Sequence, residues 1–297
     1  MGDVKIIFVG NYKGGVGKTT SVLNFAEYFA RESNKVLVLD LDPQSSLSEI
    51  LVKNADKSNN RELSDLEARE TLNYIFDLSV TQIEKYSNMQ LQFDKTFLIK
   101  NYQGVFDFIP SSLFYENNEV NMGLDALVLK MKDNIQYLSI LKNFVDTVKN
   151  EYDYIIIDCP PANNLITRSA FLMSDYYIIP TVLDGLSTNG VIHYIDEIDK
   201  TYRRYCEIGE DALLCRHFFG EKPRLIGIFY NLIRGQVNYN EAKADFEQAI
   251  ISKCGKNVIL DSGINNYIDI SRSTQDGRIS IEKHDFEHLT REILGKI

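Results

Sequence analysis

Short runs of hydrophobic residues, rich in β-branched side chains, recur along the chain and predict about seven buried strands. Within most runs the hydrophobic positions are continuous rather than alternating, which is typical of strands covered on both faces of a parallel sheet. The predicted strands span residues 4–9, 35–39, 106–109, 154–157, 176–179, 225–230 and 257–260.

Between these runs, hydrophobic residues recur at intervals of three and four, which predicts amphipathic helices. Examples are Val22, Phe25 and Phe29, then Ile140, Leu141 and Phe144, then Val191, Ile195 and Ile198. Strands that alternate with helices predict an α/β fold, a doubly wound, mostly parallel sheet with helices on both faces and right-handed crossovers. Phosphate ligands of such sheets bind at the carboxyl ends of the strands.

Two stretches interrupt this alternation. Residues 52–103 carry mixed charge and Asn/Ser clusters around one predicted helix over 63–78, and residues 204–224 are polar with scattered charge. Neither stretch is rich in Pro or Gly, so both are interpreted as insertions rather than linkers. We therefore expect a single α/β domain over residues 1–297 with insertions at about 52–103 and 204–224.

Composition narrows the class of protein. The chain has 297 residues, 44% hydrophobic and 25% charged, which excludes a collagen-like, coiled-coil or largely disordered protein. No apolar stretch reaches membrane-spanning length, and four cysteines without a C-x-x-C pair indicate reduced thiols, so a cytoplasmic protein is expected. The net charge of −10 is opposite to that of a typical nucleic-acid binder, so any such partner must contact a local basic patch.

The glycines are concentrated at the N-terminus. Five of the 17 lie within the first 17 residues, and the next is Gly104. Residues 10–20 read G-N-Y-K-G-G-V-G-K-T-T between the first predicted strand and the first helix, the context of a loop whose backbone N–H groups bind phosphate. Lys18 is expected at the β- and γ-phosphates, Thr19 in the magnesium shell and Thr20 at the α-phosphate, so a nucleotide and Mg²⁺ are the predicted ligands.

This loop departs from the general G-x-x-x-x-G-K-[ST] motif, because Tyr12 stands where the first glycine belongs. The run K-G-G-V-G-K-T-T instead resembles the deviant Walker A box of the ParA/MinD family of P-loop ATPases. The resemblance implies that Lys13 contacts nucleotide phosphate across a dimer interface. It also implies that the nucleotide is bound by Lys13, Gly14, Gly15, Val16, Gly17, Lys18, Thr19 and Thr20.

Carboxylates follow two further predicted strands. Asp40 and Asp42 stand in D-L-D-P-Q, and alternation along an extended chain would place both on one side. This run resembles the family's switch element, in which the second aspartate aligns the attacking water and the first lies close to the magnesium shell. Asp158 ends an apolar strand and is followed by C-P-P, which resembles a Walker B element that holds a magnesium-bound water. The implied catalytic residues are Lys13, Lys18 and Asp42, and the implied metal-side residues are Thr19, Asp40 and Asp158.

Two later segments also resemble the family. Residues 184–190 match the loop that runs along the dimer interface, and Asn231 matches the position that reads the adenine edge. An amide pairs with a base as both donor and acceptor. A turn-forming asparagine is the alternative interpretation of Asn231.

The resemblance implies a slow, partner-stimulated, Mg-dependent ATP hydrolase that dimerises with ATP. ParA-like members bind DNA non-specifically on the nucleoid and segregate plasmids or chromosomes with a centromere-binding, ParB-like adaptor. MinD-like members, the alternative, act on a membrane or a protein cargo. The last predicted helix, about residues 285–296, has few basic residues on its polar face, so we expect it to pack on the sheet and not on a membrane.

A DNA contact would need local positive charge. Residues 200–224 hold six Lys or Arg against four Asp or Glu, and the candidates there are Lys200, Arg203, Arg204 and Arg224. Cations that complement a helix C-terminus are the alternative interpretation. Arg272 and Arg278 fall where the family often carries basic residues. The cysteines do not match the cluster-binding arrangement of related iron-protein reductases, and no tyrosine follows Tyr267, unlike in related tyrosine kinases.

Overall fold

The computed structural model describes residues 3–55, 61–86, 88–117, 120–184, 187–234, 239–266 and 284–297. The strands in these ranges are β1 (Lys5–Val9), β2 (Val36–Asp40), β3 (Lys100–Tyr102), β4 (Phe106–Ile109), β5 (Glu116–Asn117), β6 (Val120–Asn121), β7 (Tyr154–Asp158), β8 (Tyr176–Thr181) and β9 (Arg224–Tyr230). The helices are α1 (Lys18–Arg31), α2 (Ser46–Ala55), α3 (Leu72–Lys85), α4 (Lys95–Leu98), α5 (Leu124–Lys130), α6 (Ile135–Val148), α7 (Leu165–Leu172), α8 (Ser187–Cys206), α9 (Ala212–Phe219), α10 (Asn240–Cys254) and α11 (His284–Leu294).

One sheet carries the fold, with strand order β3-β4-β2-β7-β1-β8-β9. All pairs are parallel except β3 with β4. The register pairs Asp158 with Val9 on one side and with Asp40 on the other. The carboxyl ends of β1, β2 and β7 therefore meet at one edge of the sheet, where the loop after β1 and both predicted acidic elements come together.

The two faces of the sheet are covered by different helices. Along β1, Ile7 and Val9 pack with α1, α2 and α11, whereas Ile6 and Phe8 pack with α3, α6, α7 and α8 on the opposite face. Burial on both faces explains why the strand sequences are continuously apolar. The predicted doubly wound α/β fold is confirmed.

Helix α11 packs on the sheet as predicted. Its apolar residues Phe286, Leu289 and Ile293 are fully buried, and the Phe286 ring lies 6.2 Å from that of Phe25 in α1. An interfacial membrane helix would keep these residues available to lipid. Among the described helices, none has both the length and the apolar character needed to cross a membrane.

The seventh strand of the sheet is not the predicted one. Residues 257–260 make only an isolated bridge, between Ile259 and Ile228, so the strand prediction there is wrong. The Asn257 side chain accepts a hydrogen bond from the Ile259 N–H at 2.9 Å and closes a local turn instead. The seventh strand is β3, at the opposite edge of the sheet beside β4. In its sequence K-N-Y only Tyr102 is buried, so it lacks the continuous hydrophobic run of the other strands.

The helix expected over 63–78 begins later. Residues Leu63–Asp65 and Ala68–Glu70 form single 3₁₀ turns, each closed by an acidic side chain that accepts from the backbone, and α3 starts at Leu72. The Leu72 N–H donates to the Pro110 carbonyl at 2.8 Å, which ties α3 to the end of β4. The predicted insertion at 52–103 thus contains α3, α4 and the edge strand β3. The one at 204–224 contains the last turn of α8, then α9 and the entry to β9.

Candidate nucleotide-binding site

The loop between β1 and α1 has the backbone of a phosphate cradle. Gly15 and Gly17 adopt φ of 72° and 79°, the left-handed region that glycine enters without strain. A Cβ at Gly17 would lie 2.4 Å from Nδ2 of Asn231, and that amide donates to the Val16 carbonyl at 2.8 Å. The bare backbone at Gly17 therefore lets Asn231 hold the loop from behind.

Asn11 and Tyr12 also hold the loop in place. The Asn11 side chain accepts from the Lys13 N–H at 3.0 Å and donates to the Pro180 carbonyl at 2.8 Å. Tyr12, which replaces the expected glycine, packs edge-on against Tyr194 with ring centroids 4.7 Å apart. A Cβ at Gly10 would lie 1.9 Å from the Tyr194 hydroxyl oxygen, so Gly10 makes room for that ring. The departure from the general motif is thus accommodated by an aromatic pair.

Lys18 opens α1 beneath the loop. Its side chain is 7% exposed and donates to the Lys13 carbonyl at 3.2 Å. Burial lowers the pKa of Lys18, and the nearby carboxylates of Asp158 and Asp42 oppose that shift. A cation at a helix N-terminus, surrounded by backbone N–H groups, forms an anion site. Gly14, Gly15 and Thr20 are partly or fully accessible around it, as phosphate contacts require.

Thr19 and Asp158, two of the predicted metal-side residues, are in direct contact. The Thr19 hydroxyl donates to Asp158 Oδ2 at 2.7 Å, whereas Asp158 Oδ1 is buried and has no hydrogen-bond partner among the described residues. Burial raises the pKa of Asp158 well above its usual value, and the neighbouring Asp40 raises it further. A buried carboxylate oxygen without a donor, next to a hydroxyl, fits Mg²⁺ or a water bound to it.

Asp40 and Asp42 occupy different environments. Strand β2 ends at Asp40, so the alternation expected to place both residues on one side does not extend to Asp42. The buried Asp40 carboxylate accepts from the Ser48 N–H, the Ser48 hydroxyl and the Asp42 N–H at 2.8, 2.6 and 3.0 Å. Burial raises the pKa of Asp40 to about 6 against the lowering effect of these bonds. Asp42 is half-buried and accepts from the Gln44 N–H at 2.9 Å.

Lys13 is held within its own chain. Its ammonium group forms an ion pair with Asp184 and a hydrogen bond with the Ser187 hydroxyl at 3.3 Å. Both partners lie just after β8. The sequence does not predict their pairing with Lys13, because no local pattern links residues 171 and 174 positions apart.

Most predicted DNA-contact residues are paired within the protein. Lys200 binds Glu197 at 2.8 Å, Arg204 binds Asp133 at 2.6 Å, and Arg224 donates to the Lys296 carbonyl at 2.6 Å. Arg203 is exposed and makes no ion pair with any residue that the structure describes. Arg272 and Arg278 lie outside the described residues. The positive charge of residues 200–224 is therefore largely matched by local acids.

Comparison with known proteins agrees with this geometry. A family model described as an AAA domain matches residues 4–208. The sporulation initiation inhibitor protein Soj of Bacillus subtilis is 32% identical over 188 residues, which make up 62% of each chain. The chain also spans 64% of an uncharacterised Pseudomonas putida relative, so it covers less than two thirds of the length of these relatives.

Solved structures share the whole fold. A Borrelia burgdorferi B31 protein assigned to plasmid partition, bound to AMPPNP, superposes with a TM-score of 0.67 at 21% identity over 99% of this chain and 98% of that one. The cobyrinic acid a,c-diamide synthase of Mycobacterium smegmatis, with an ATP analogue and magnesium, gives a TM-score of 0.64 at 16% identity over 98% and 94%. With the family model, the fold and the loop geometry in agreement, this chain belongs to the ParA/Soj family of P-loop ATPases.

Proposed function

We propose that this protein hydrolyses ATP with Mg²⁺ and uses the nucleotide to switch between monomer and dimer. The observation that carries the proposal is the grouping of Lys18, Thr19 and Asp158 around a glycine loop at a helix N-terminus, with an unpartnered oxygen on Asp158. The nucleotide-bound relatives of the same fold support ATP and magnesium as the ligands.

The chain's own residues divide the work of phosphoryl transfer. The loop N–H groups and Lys18 would neutralise the phosphates, and Thr19 with Asp158 would hold the metal, which supplies further positive charge when bound. Asp40 neighbours this metal site through its register with Asp158. Asp42 would align the attacking water. Asn231 supports the loop, and an additional adenine contact by Asn231 is part of the proposal.

The dimer is the second part of the proposal. Lys13 is one of the two loop lysines, and it points to Asp184 instead of contributing charge within its own loop. If Lys13 reaches the phosphates of a partner subunit, a monomer lacks one cation at its own phosphates. ATP would then favour the dimer, and hydrolysis would release it, because a ligand stabilises the state that binds it better.

We further propose that the dimer binds DNA non-specifically on the nucleoid and segregates a replicon with a ParB-like adaptor. The kinship with Soj and the Borrelia plasmid partition protein supports this role. Within one subunit most basic residues of the candidate patch are paired with other groups of the protein. DNA binding would therefore combine weak contacts from both subunits of the dimer, including those of Arg203.

Measuring DNA binding with ATP, with ADP and without nucleotide tests this role. Affinity for a random duplex, followed by fluorescence anisotropy, should be detectable only with ATP and Mg²⁺. It should fall about tenfold or more between roughly 50 and 200 mM salt, because bound cations displace counterions from DNA. Arg203→Glu should weaken binding, whereas Arg69→Glu, which alters an exposed arginine elsewhere, serves as the charge-matched control. Binding that is equal in all three nucleotide states would contradict the switch.

A further inference from the structure

The predicted water-aligning residue Asp42 belongs to a closed set of hydrogen-bonded residues next to the site. We call this set the serine ring; it consists of Asp40, Asp42, Ser45, Ser48 and Ser111. Its three serines are at most 1% exposed. Neither the switch element nor the phosphate loop accounts for them.

The bonds of the serine ring form a circuit. Ser48 Oγ donates to Asp40 Oδ2 at 2.6 Å and accepts from the Ser111 N–H at 2.9 Å. Asp40 Oδ1 accepts from the Asp42 N–H at 3.0 Å, and the Asp42 carbonyl accepts from the Ser111 hydroxyl at 3.4 Å. The peptide groups on both sides of the Asp42 Cα are thereby both held by hydrogen bonds.

Ser45 completes the circuit. Its N–H donates to the Asp42 carbonyl at 2.8 Å, and its hydroxyl lies 3.0 Å from that of Ser111. A hydroxyl has one hydrogen, so when Ser111 donates to the Asp42 carbonyl, the Ser45 hydroxyl is the donor in this pair. Ser45 has φ of 52°, an uncommon conformation for a residue with a side chain, so the surrounding contacts must hold it there.

The ring is anchored on the far side by β4 and α3. Ser111 follows the end of β4, and the next residue, Ser112, donates from its N–H to Asn73 Oδ1 at 2.8 Å while accepting from Asn73 Nδ2 at 3.0 Å. Water does not reach the bonds among Asp40, the three serines and Asn73, because these residues are buried, whereas Asp42 is half-buried. The loop that carries Asp42 is therefore fixed to a rigid part of the sheet.

We propose that Ser111 is a positioning residue for ATP hydrolysis, acting through the Asp42 backbone, with Ser45 and Ser48 as its supports. This inference rests on the proposed role of Asp42. Without the Ser111 hydroxyl, the Asp42 carbonyl keeps only the Ser45 N–H, and the carboxylate loses its fixed direction. Misplacement of an aligning group lowers the rate of the chemical step more than it lowers substrate binding.

A double-mutant cycle under single-turnover conditions tests this inference. Ser111→Ala should lower the hydrolysis rate about tenfold to a hundredfold and change ATP affinity by less than about twofold. In an Asp42→Asn background the same change should alter the residual rate by less than about twofold, because the group that it positions is gone. Ser174→Ala removes an equally buried serine hydroxyl, near the opposite edge of the sheet, and should leave the rate unchanged.

The other possible outcomes contradict either the role of Ser111 or the proposed ATP hydrolysis. Equal losses from Ser111→Ala in both backgrounds, or a loss of ATP affinity without a loss of rate, would show a merely structural role and overturn the inference. If Ser111→Ala does not fold, Ser45→Ala carries the same test, with a smaller expected loss. A wild-type protein that does not hydrolyse ATP would instead overturn the proposed function.

Discussion

Replacing Lys13 by Ala is expected to abolish ATP-dependent dimerisation and to lower ATP hydrolysis about a thousandfold. The loss follows from the proposed contact in trans, since a cation that arrives from a partner subunit stabilises the charge of the transferred phosphoryl group only in the dimer. In the isolated chain Lys13 contacts Asp184 and Ser187, so its removal leaves the chain's own loop intact. Light scattering and single-turnover hydrolysis measure the two losses.

The internal ion pair supplies the control. Asp184→Asn removes the carboxylate that holds Lys13 but keeps the lysine, so dimerisation with ATP should persist. Both variants should keep the ATP-binding ability of the single chain, because Lys18 and the loop N–H groups remain. If the Lys13→Ala protein dimerises with ATP as well as wild type does, the proposed contact of Lys13 with the partner's nucleotide is contradicted.

Replacing Asp158 by Asn is expected to have opposite effects on function and on stability. Mg²⁺ affinity in the presence of nucleotide should fall about a hundredfold, since a ligand-orienting carboxylate is lost. Without ligand, the variant should have a free energy of unfolding about 1–3 kcal/mol larger than that of wild type at neutral pH. The reason is that a buried carboxylate without a full set of hydrogen-bond donors destabilises the folded wild-type protein. Calorimetry with and without Mg²⁺ separates the two effects.

The stability difference should depend on pH in a defined direction. Burial and Asp40 raise the pKa of Asp158 in the folded state above its usual value of 3.8. The wild-type protein therefore loses stability relative to the variant as pH rises past 3.8, and the loss levels off above the raised pKa. The advantage of Asp158→Asn should be largest at neutral pH and disappear toward pH 4. An advantage that grows as pH falls would contradict the assignment.

The sequence predicts most of the sheet, because β1, β2, β7 and β8 are buried on both faces and are therefore continuously apolar. It does not predict β3, whose polar residues border solvent, nor the late start of α3, which depends on a hydrogen bond to Pro110 across the chain. Edge position and long-range capping leave little local signal.

The same division holds for the site. The phosphate loop and Asp158 are predictable because glycine spacing and strand ends carry their own signal, and the structure brings Lys18, Thr19 and Asp158 together. The contacts of Lys13 with Asp184 and of Asp42 with Ser111 join segments far apart in sequence. The crossover connections of the fold bring these residues together at the carboxyl ends of the strands.

The most direct test of the ATP-gated switch is the mass of the wild-type protein in solution with ATP and Mg²⁺, with ADP and Mg²⁺, and without nucleotide. Sedimentation or light scattering at one protein concentration gives all three values. We expect a dimer only with ATP and Mg²⁺, and a monomer of 34.1 kDa in the other two states. The same mass in all three states would contradict the switch.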